Sequence, residues 1–452
     1  MQREVTPLWG GKKVVLRETL RAVTPFGGLS VFIEFLGRIG YSQQVSAHLP
    51  VHLQSPNAID PSQTFTAFLI SVVAGARRFA HSALLRADCA LHALLGMKRF
   101  PTDDTIRNLF KRFRQGLVVQ FYEPLWAWQL ARVPRRAGGY SLDLDSTVFE
   151  RYGSQEGVKR GYNPRKHGRA SHHPLLAVLG EAGFILHGWL RSGNTRSDSG
   201  VVEFLKEALA KVSPREWIRV VRADSGFFAQ ALLRYLEDQG LHYIVVARLT
   251  RWLKQEAARV SAWRALDETY AVGEFRLQLL GWERERRFVV VREQLQETKR
   301  SLGRKLLEIP GYTFRVFVTN RAEAPEEIWR DYNQRACVEQ RIEELKSDLA
   351  ADAFCLQEFF ATEAAFLGIL MLFNLLGEFQ RASGLTGYRQ PATLRVQVFL
   401  CGAILGRAGH RKVLHLSSAW GGLETRNSLL ESLLKYELPT SPKLKIQPLP
   451  AG

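Results

Sequence analysis

Three acidic residues stand where the pattern of the chain changes. Asp145 closes the alternating stretch GGYSLDLDST, Asp224 follows the apolar run IRVVRA, and Glu339 lies within YNQRACVEQRIEELK, which reads as one helix. In the first stretch Tyr140, Leu142 and Leu144 point one way and Ser141, Asp143 and Asp145 the other, as in a half-buried strand with carboxylates near its end. Residues at the carboxyl ends of strands in an open sheet converge on one rim, and a helix packed across that rim can add a third carboxylate. Three carboxylates at one place repel unless cations lie between them. Hard oxygen donors of this kind suit Mg²⁺, which keeps waters and takes a few carboxylates plus phosphate oxygens. Two such ions about 3.5–4 Å apart activate an attacking oxygen and stabilise a leaving one in phosphoryl transfer. Each acid alone reads as a cap or turn residue; the ordered set of three in a basic chain does not. Asp143 shares the face of Asp145, but the strand ends at Asp145, leaving Asp143 as a supporting or surface group.

The helix around Glu339 carries more than one acid. At about 100° per residue, Tyr332, Arg335, Glu339, Glu343 and Lys346 fall within an arc of roughly 80°. Val338, Ile342, Leu345 and Leu349 occupy the adjoining arc and would pack on the sheet. Arg335 by its planar fork and Lys346 as a point charge suit phosphate contacts, and Tyr332 suits positioning a phosphate or stacking on a base. Glu343 supports the site or pairs with Lys346.

The composition agrees with a polyanionic partner. The chain has 452 residues, enough for two to four domains, with 62 Lys+Arg against 44 Asp+Glu and a formal net charge of +18. Cys89, Cys337, Cys355 and Cys401 are far apart and show no zinc-ligand spacing, the usage of a reducing cytosol. The amino terminus has no apolar signal core. The most apolar run, Ala364 to Phe379, is short for a membrane span and holds Asn374, so it reads as a buried helix. The expectation is a soluble, cytoplasmic protein without membrane association.

Residues 1–135 read as a helical, DNA-binding amino-terminal region. In FPTDDTIRNLFKRF, Asp103 and Asp104 open a helix, Ile106, Leu109, Phe110 and Phe113 form its apolar stripe, and Arg107 and Lys111 lie outside it as candidate DNA contacts. Residues 136–248 alternate strands and helices as the first part of an α/β core. Residues 249–311 read as a partly β insertion, 312–355 as the final strand and the Glu339 helix, 356–438 as a carboxyl-terminal helical region, and 439–452 as a disordered tail. The segment EGVKRGYNPRKHGRASHHPLL interleaves Lys159, Arg160, Arg165, Lys166 and Arg169 with Tyr162, which suits a loop lying on a DNA backbone. His167, His172 and His173 read as phosphate contacts or plain surface rather than metal ligands. Asn194, Thr195 and Ser199 are candidate caps for the next helix, and Arg191 and Arg196 candidate DNA contacts.

These residues carry a resemblance. The spacing of Tyr332, Arg335, Glu339 and Lys346 resembles the tyrosine-arginine-glutamate-lysine signature of a large group of bacterial insertion-sequence transposases of the DDE type. LDLDST and RADSGFF look like the group's two aspartate motifs, and the GYNP segment resembles that of one branch. The resemblance spans about residues 139–350. It implies an RNase H-like catalytic core, a mixed sheet flanked by helices, with a β-rich insertion between the second aspartate and the glutamate. It implies Asp145, Asp224 and Glu339 as the catalytic, metal-binding triad, with two Mg²⁺ ions or substituting Mn²⁺. Tyr332, Arg335 and Lys346 would contact DNA or support the site. The implied activity is cut-and-paste movement: double-stranded DNA is cut at the terminal inverted repeats, and the freed 3′-hydroxyls are joined to target DNA by a homodimer on paired ends, in the bacterial nucleoid. A metal-dependent nuclease of the same fold without strand transfer, or an inactive DNA-binding descendant, is the alternative.

Overall fold

The computed structural model describes residues 3–163, 166–294, 312–420 and 423–438. Its amino-terminal region begins with an antiparallel hairpin, β1 (Arg3–Val5) and β2 (Val14–Leu16), and a short strand, β3 (Val23–Thr24). Helices from Leu29–Arg38 to Gln115–Leu130 follow. The region expected to be mostly helical opens as β structure, in a stretch where Val and Leu recur too briefly to announce a strand.

The centre of the molecule is one mixed sheet. Its strands are β4 (Tyr140–Ser146), β8 (Leu175–Leu179), β9 (Phe184–Trp189), β10 (Ile218–Ala223), β11 (Tyr243–Val246), β12 (Arg264–Ala265), β13 (Tyr270–Leu277), β14 (Arg286–Gln294) and β15 (Tyr312–Thr319). The order is β12-β13-β14-β15-β11-β10-β4-β8-β9. The pairs β4–β10 and β10–β11 are parallel and the others antiparallel. Parallel neighbours need a crossover: the helix Val201–Ala210 lies between β9 and β10 in the chain, and Gln230–Asp238 between β10 and β11. Three short strands, β5 (Phe149–Glu150), β6 (Lys159–Arg160) and β7 (Ala170–His172), pair in the order β5-β7-β6 beside this sheet.

Two expectations change in this setting. Strand β4 is central, so it is buried on both faces rather than half-buried. Asp143 is fully buried and is no surface group. Arg222 on β10 grips it in a fork, Nε and Nη2 donating at 2.6 and 2.7 Å. The stretch read as a partly β insertion contributes β12, β13 and β14, which pair onward to β15 and extend the same sheet; residues 295–311 lie outside the described residues.

The carboxyl-terminal region is not helical throughout. The apolar run belongs to a 24-residue helix, Phe359–Ala382, long enough by length and composition to cross a membrane, but 83% of its apolar window is buried inside the protein. Asn374 on this helix accepts from the Ile185 N–H at 2.8 Å and donates to its carbonyl at 3.0 Å, which satisfies a polar side chain in the core. Further on, β16 (Ala403–Ala408) and β17 (Arg411–Leu416) form a hairpin, and β16 pairs with β3. The hairpin sequence is basic and turn-rich, with little apolar alternation to distinguish it from helix. The expected disordered tail, 439–452, lies outside the described residues.

Arg222 also donates to Asp331, on the helix Pro325–Asn333, and Arg219 and Arg321 converge on that same carboxylate. Burial works against the Asp331 anion, but the hydrogen bonds and charges of Arg219 and Arg321 hold its carboxyl below the usual range. Removing one partner of a buried ion pair leaves the other uncompensated. Arg222→Met is therefore expected to lower unfolding free energy by about 3–5 kcal/mol in urea titrations. The paired change Arg222→Met with Asp143→Leu is expected to recover much of that loss.

Candidate active site

The register of the parallel pair places the first two acids. Leu144 of β4 lies opposite Ala223 of β10, so the next residues, Asp145 near the end of β4 and Asp224 just past β10, stand side by side at the carboxyl ends of their strands. Asp145 Oδ1 accepts from the Ser146 N–H at 2.7 Å. Asp224 starts a tight turn, its Oδ1 accepting from the Gly226 N–H at 2.9 Å. A Cβ on Gly226 would sit 2.9 Å from Ser197 Oγ and 3.0 Å from Asp224 Oδ1, so any larger residue would push these side chains aside.

Glu339 arrives on a different element from the one expected. The segment read as one helix is two, Pro325–Asn333 and Ala336–Ser347, with Gln334 and Arg335 at the junction. The stripe is therefore divided. Tyr332 is 7% exposed, and its ring packs on Phe317 of β15 with centroids 4.8 Å apart. Burial pushes its hydroxyl up to about 12. It is a packing residue and presents no open face for stacking on a base. Arg335 is buried too: it donates to the Leu144 carbonyl at 2.9 Å, lies 3.1 Å from Asp145 Oδ2, and reaches Glu339 Oε1 at 3.4 Å. Its Nε has no hydrogen-bond partner among the described residues. Glu339 itself is 71% exposed. Lys346 Nζ stands 3.5 Å from Thr147 Oγ1, just beyond Asp145, and Glu343 is exposed beside the same cleft.

The electrostatics mark Asp145. Burial pushes its carboxyl up to about 6; Arg335 opposes this, while Asp224 and Glu339 add like-charge repulsion. A divalent cation would reverse that penalty, and three hard oxygen donors are its ordinary ligands, so the donor set fits. Among the described residues no three acidic, His or Cys side chains are already closed around one point. Asp224 and Glu339 act on Asp145 as like charges without the three forming a ready-made cage.

A cleft of about 2160 Å³ opens here, walled by Ser146, Thr147, Asp224, Glu343 and Lys346. Arg77, Arg78, Arg196, Arg248 and Arg315 also line it. Apart from Arg196, which was a candidate DNA contact, these cations come from separate segments with no local signal in the sequence. Of the basic segment, Tyr162 and Lys166 line the cleft, while Lys159, Arg160 and Arg169 are exposed. Lys166 is paired with Glu150 at 2.9 Å, and the Arg169 guanidinium lies 4.5 Å over the Tyr152 ring. Arg165 lies outside the described residues. The segment is strand-bound through β5, β6 and β7 rather than a plain loop.

Several other candidates have structural partners. His172 and His173 are buried, contrary to the surface reading, and His167 is exposed. His172 meets the Glu156 carbonyl at 2.9 Å, and burial drops its pKa to about 4. His173 Nδ1 donates to the Thr195 carbonyl at 2.7 Å, and its Nε2 faces Ser146 Oγ at 3.2 Å. Arg191 is buried and donates to the His173 and Ser199 carbonyls, so it braces the loop instead of reaching DNA. The helix Val201–Ala210 starts at left-handed Gly200 with no side-chain cap, so Asn194, Thr195 and Ser199 do not cap it. Arg107 is paired with Asp103 and Asp104 at 3.0 and 2.9 Å, and Lys111 is exposed.

A family model described as transposase DDE domain, group 1, matches residues 6–437 of the chain. No curated protein matches it. Among solved structures, the piggyBac transposase in a synaptic complex with hairpin DNA is similar over 94% of this chain and 86% of that one, at 12% identity and a TM-score of 0.44.

The placement of Tyr332 separates packing from chemistry. Tyr332→Ala is expected to cost about 3–5 kcal/mol of stability, whereas Tyr332→Phe should stay within about 1.5 kcal/mol of the parent in the same denaturation assay.

Proposed function

The chain belongs to the family of DDE-domain transposases, and on that premise we propose that it moves a bacterial insertion sequence by cut-and-paste. In this reading the protein works on nucleoid DNA in the cytoplasm. Two protomers bind the paired terminal inverted repeats, cut at the element ends and join the 3′-hydroxyls to target DNA. The observation that carries the reading is the pairing of Leu144 with Ala223, which sets Asp145 and Asp224 at one rim, with Arg335 linking Asp145 to Glu339. The core is read as RNase H-like. The strand order β9-β8-β4-β10-β11, antiparallel through β4 and parallel beyond it, supports that reading.

Asp145, Asp224 and Glu339 would hold Mg²⁺ or substituting Mn²⁺. Bound as a pair, the ions supply Lewis-acid activation of the attacking oxygen and charge stabilisation of the leaving 3′-oxygen. The chain's own residues do the rest. Arg335 fixes one carboxylate oxygen of Asp145 from a buried position. Lys346, Lys166 and the cleft arginines neutralise backbone phosphates, with Lys159, Arg160 and Arg169 along the approach. The unpaired face of Tyr162 suits stacking on a displaced base. In the first step a water oxygen joins phosphorus, the P–O3′ bond breaks and the 3′-hydroxyl is freed. In the second, that hydroxyl attacks a target phosphate and displaces another 3′-oxygen.

The test is cleavage of a labelled duplex carrying the repeats that flank the coding sequence. Asp145→Ala, Asp224→Ala and Glu339→Ala are each expected to lower metal-dependent end cleavage by at least about a hundredfold while retaining duplex binding. Normal cleavage by any of the three would contradict the triad. Cleavage without subsequent joining would favour a nuclease.

A further inference from the structure

We propose that the hairpin formed by β16 and β17 is a second DNA-binding element, a basic two-stranded ribbon that engages duplex DNA outside the catalytic cleft. The inference rests on the transposase reading and adds a surface to it. From Phe379 to Leu423 the chain contains no Asp or Glu. Within that acid-free stretch Arg407, His410, Arg411 and Lys412 crowd the hairpin tip, and all four are exposed. No ion pair involves them among the described residues.

The turn is tight. Ala408 pairs with Arg411, leaving a two-residue loop whose first member, Gly409, has φ +59°. A glycine at that position with positive φ matches the twist of paired strands and holds the tip rigid. Arg407 lies directly across from Lys412 in the register. Like charges directly opposite destabilise a strand pair, so this arrangement works against the hairpin's own stability. A polyanion seated on the tip would remove that repulsion. Arg21, exposed next to Ala22, whose carbonyl accepts from the Leu405 N–H, adds positive charge on the other side of β16. Glu18 is the acid facing this group of charges in sequence.

The shape suits the partner. The major groove of B-DNA, about 12 Å wide, admits a two-stranded ribbon. No residue of the hairpin lines the cleft, so the ribbon would hold DNA away from the scissile phosphate and add affinity without chemistry. Its anchor is the fold itself: β16 is tied to β3, and Cys401, just before it, donates to the Pro25 carbonyl.

The test is fluorescence anisotropy with a labelled duplex of the element end, measured across a salt series on the full chain. The triple variant Arg407→Gln, Arg411→Gln, Lys412→Gln is expected to bind at least about tenfold more weakly at 0.1 M salt. Its slope of log K against log salt should be shallower by about 2.7, the loss of three phosphate contacts. A variant that matches the parent in affinity and slope overturns the proposal. A parent that does not bind duplex DNA overturns the transposase reading along with it, which distinguishes the two failures. A lowered melting temperature in the variant would shift the decision to the parent protein, where bound duplex should protect Lys412 from acetylation. An unprotected Lys412 overturns the proposal, as does capture of the parent by anionic phosphatidylserine vesicles through these residues with DNA affinity unchanged.

Discussion

The grip of Arg222 on Asp143 is the interaction on which the site depends. Both side chains are buried at the middle of the sheet, on neighbouring parallel strands, and neither would be tolerated there alone. A slip of β10 against β4 by one residue would separate the fork from its carboxylate and turn every side chain to the other face. The pair therefore specifies the register, and the register puts Asp145 beside Asp224 at the same rim. Because Arg222 also reaches Asp331, the same cation ties the helix before the Glu339 helix to the sheet.

That scaffold holds an electrostatically unfavourable arrangement in place. The Asp145 carboxyl is lifted by burial and by two like charges, and Arg335 offsets part of this from a position that is itself 3% exposed. Arg335 stands at the junction of two helices, and from there its guanidinium reaches the Leu144 carbonyl at the end of β4. The like charge of Asp224 and Glu339 on the buried Asp145 carboxyl is costly for the protein alone, and a bound cation would relieve it.

How much of this is legible in the sequence differs from feature to feature. The ends of β4 and β10 are plain, because alternation and apolar runs stop at Asp145 and Asp224. The neighbour relation of those strands is not, since a parallel pair is separated by a hairpin and a helix. Helical periodicity places Glu339 correctly on a helix but carries Tyr332 and Arg335 along with it. The break at Gln334 has no Pro or Gly to announce it, and the partner of Tyr332, Phe317, lies on a strand that the helical pattern does not show. Asp143 misleads for a related reason: a carboxylate in an alternating strand suggests solvent, and its partner lies far along the chain. Apart from Arg196, the cleft arginines are invisible for the same cause, being drawn from distant segments. The β16–β17 hairpin is missed because its strands are rich in cations and small residues rather than in β-branched ones.

The central claim is that Asp145, Asp224 and Glu339 converge on one divalent cation site, and iron-directed cleavage of the chain tests it most directly. With Fe²⁺ in place of Mg²⁺, ascorbate and peroxide generate hydroxyl radicals at the bound ion, which cut the nearest backbone. The account predicts three sets of fragments, ending near residues 145, 224 and 339, all suppressed by excess Mg²⁺. Cuts clustered elsewhere, or near only one of the three acids, would contradict it.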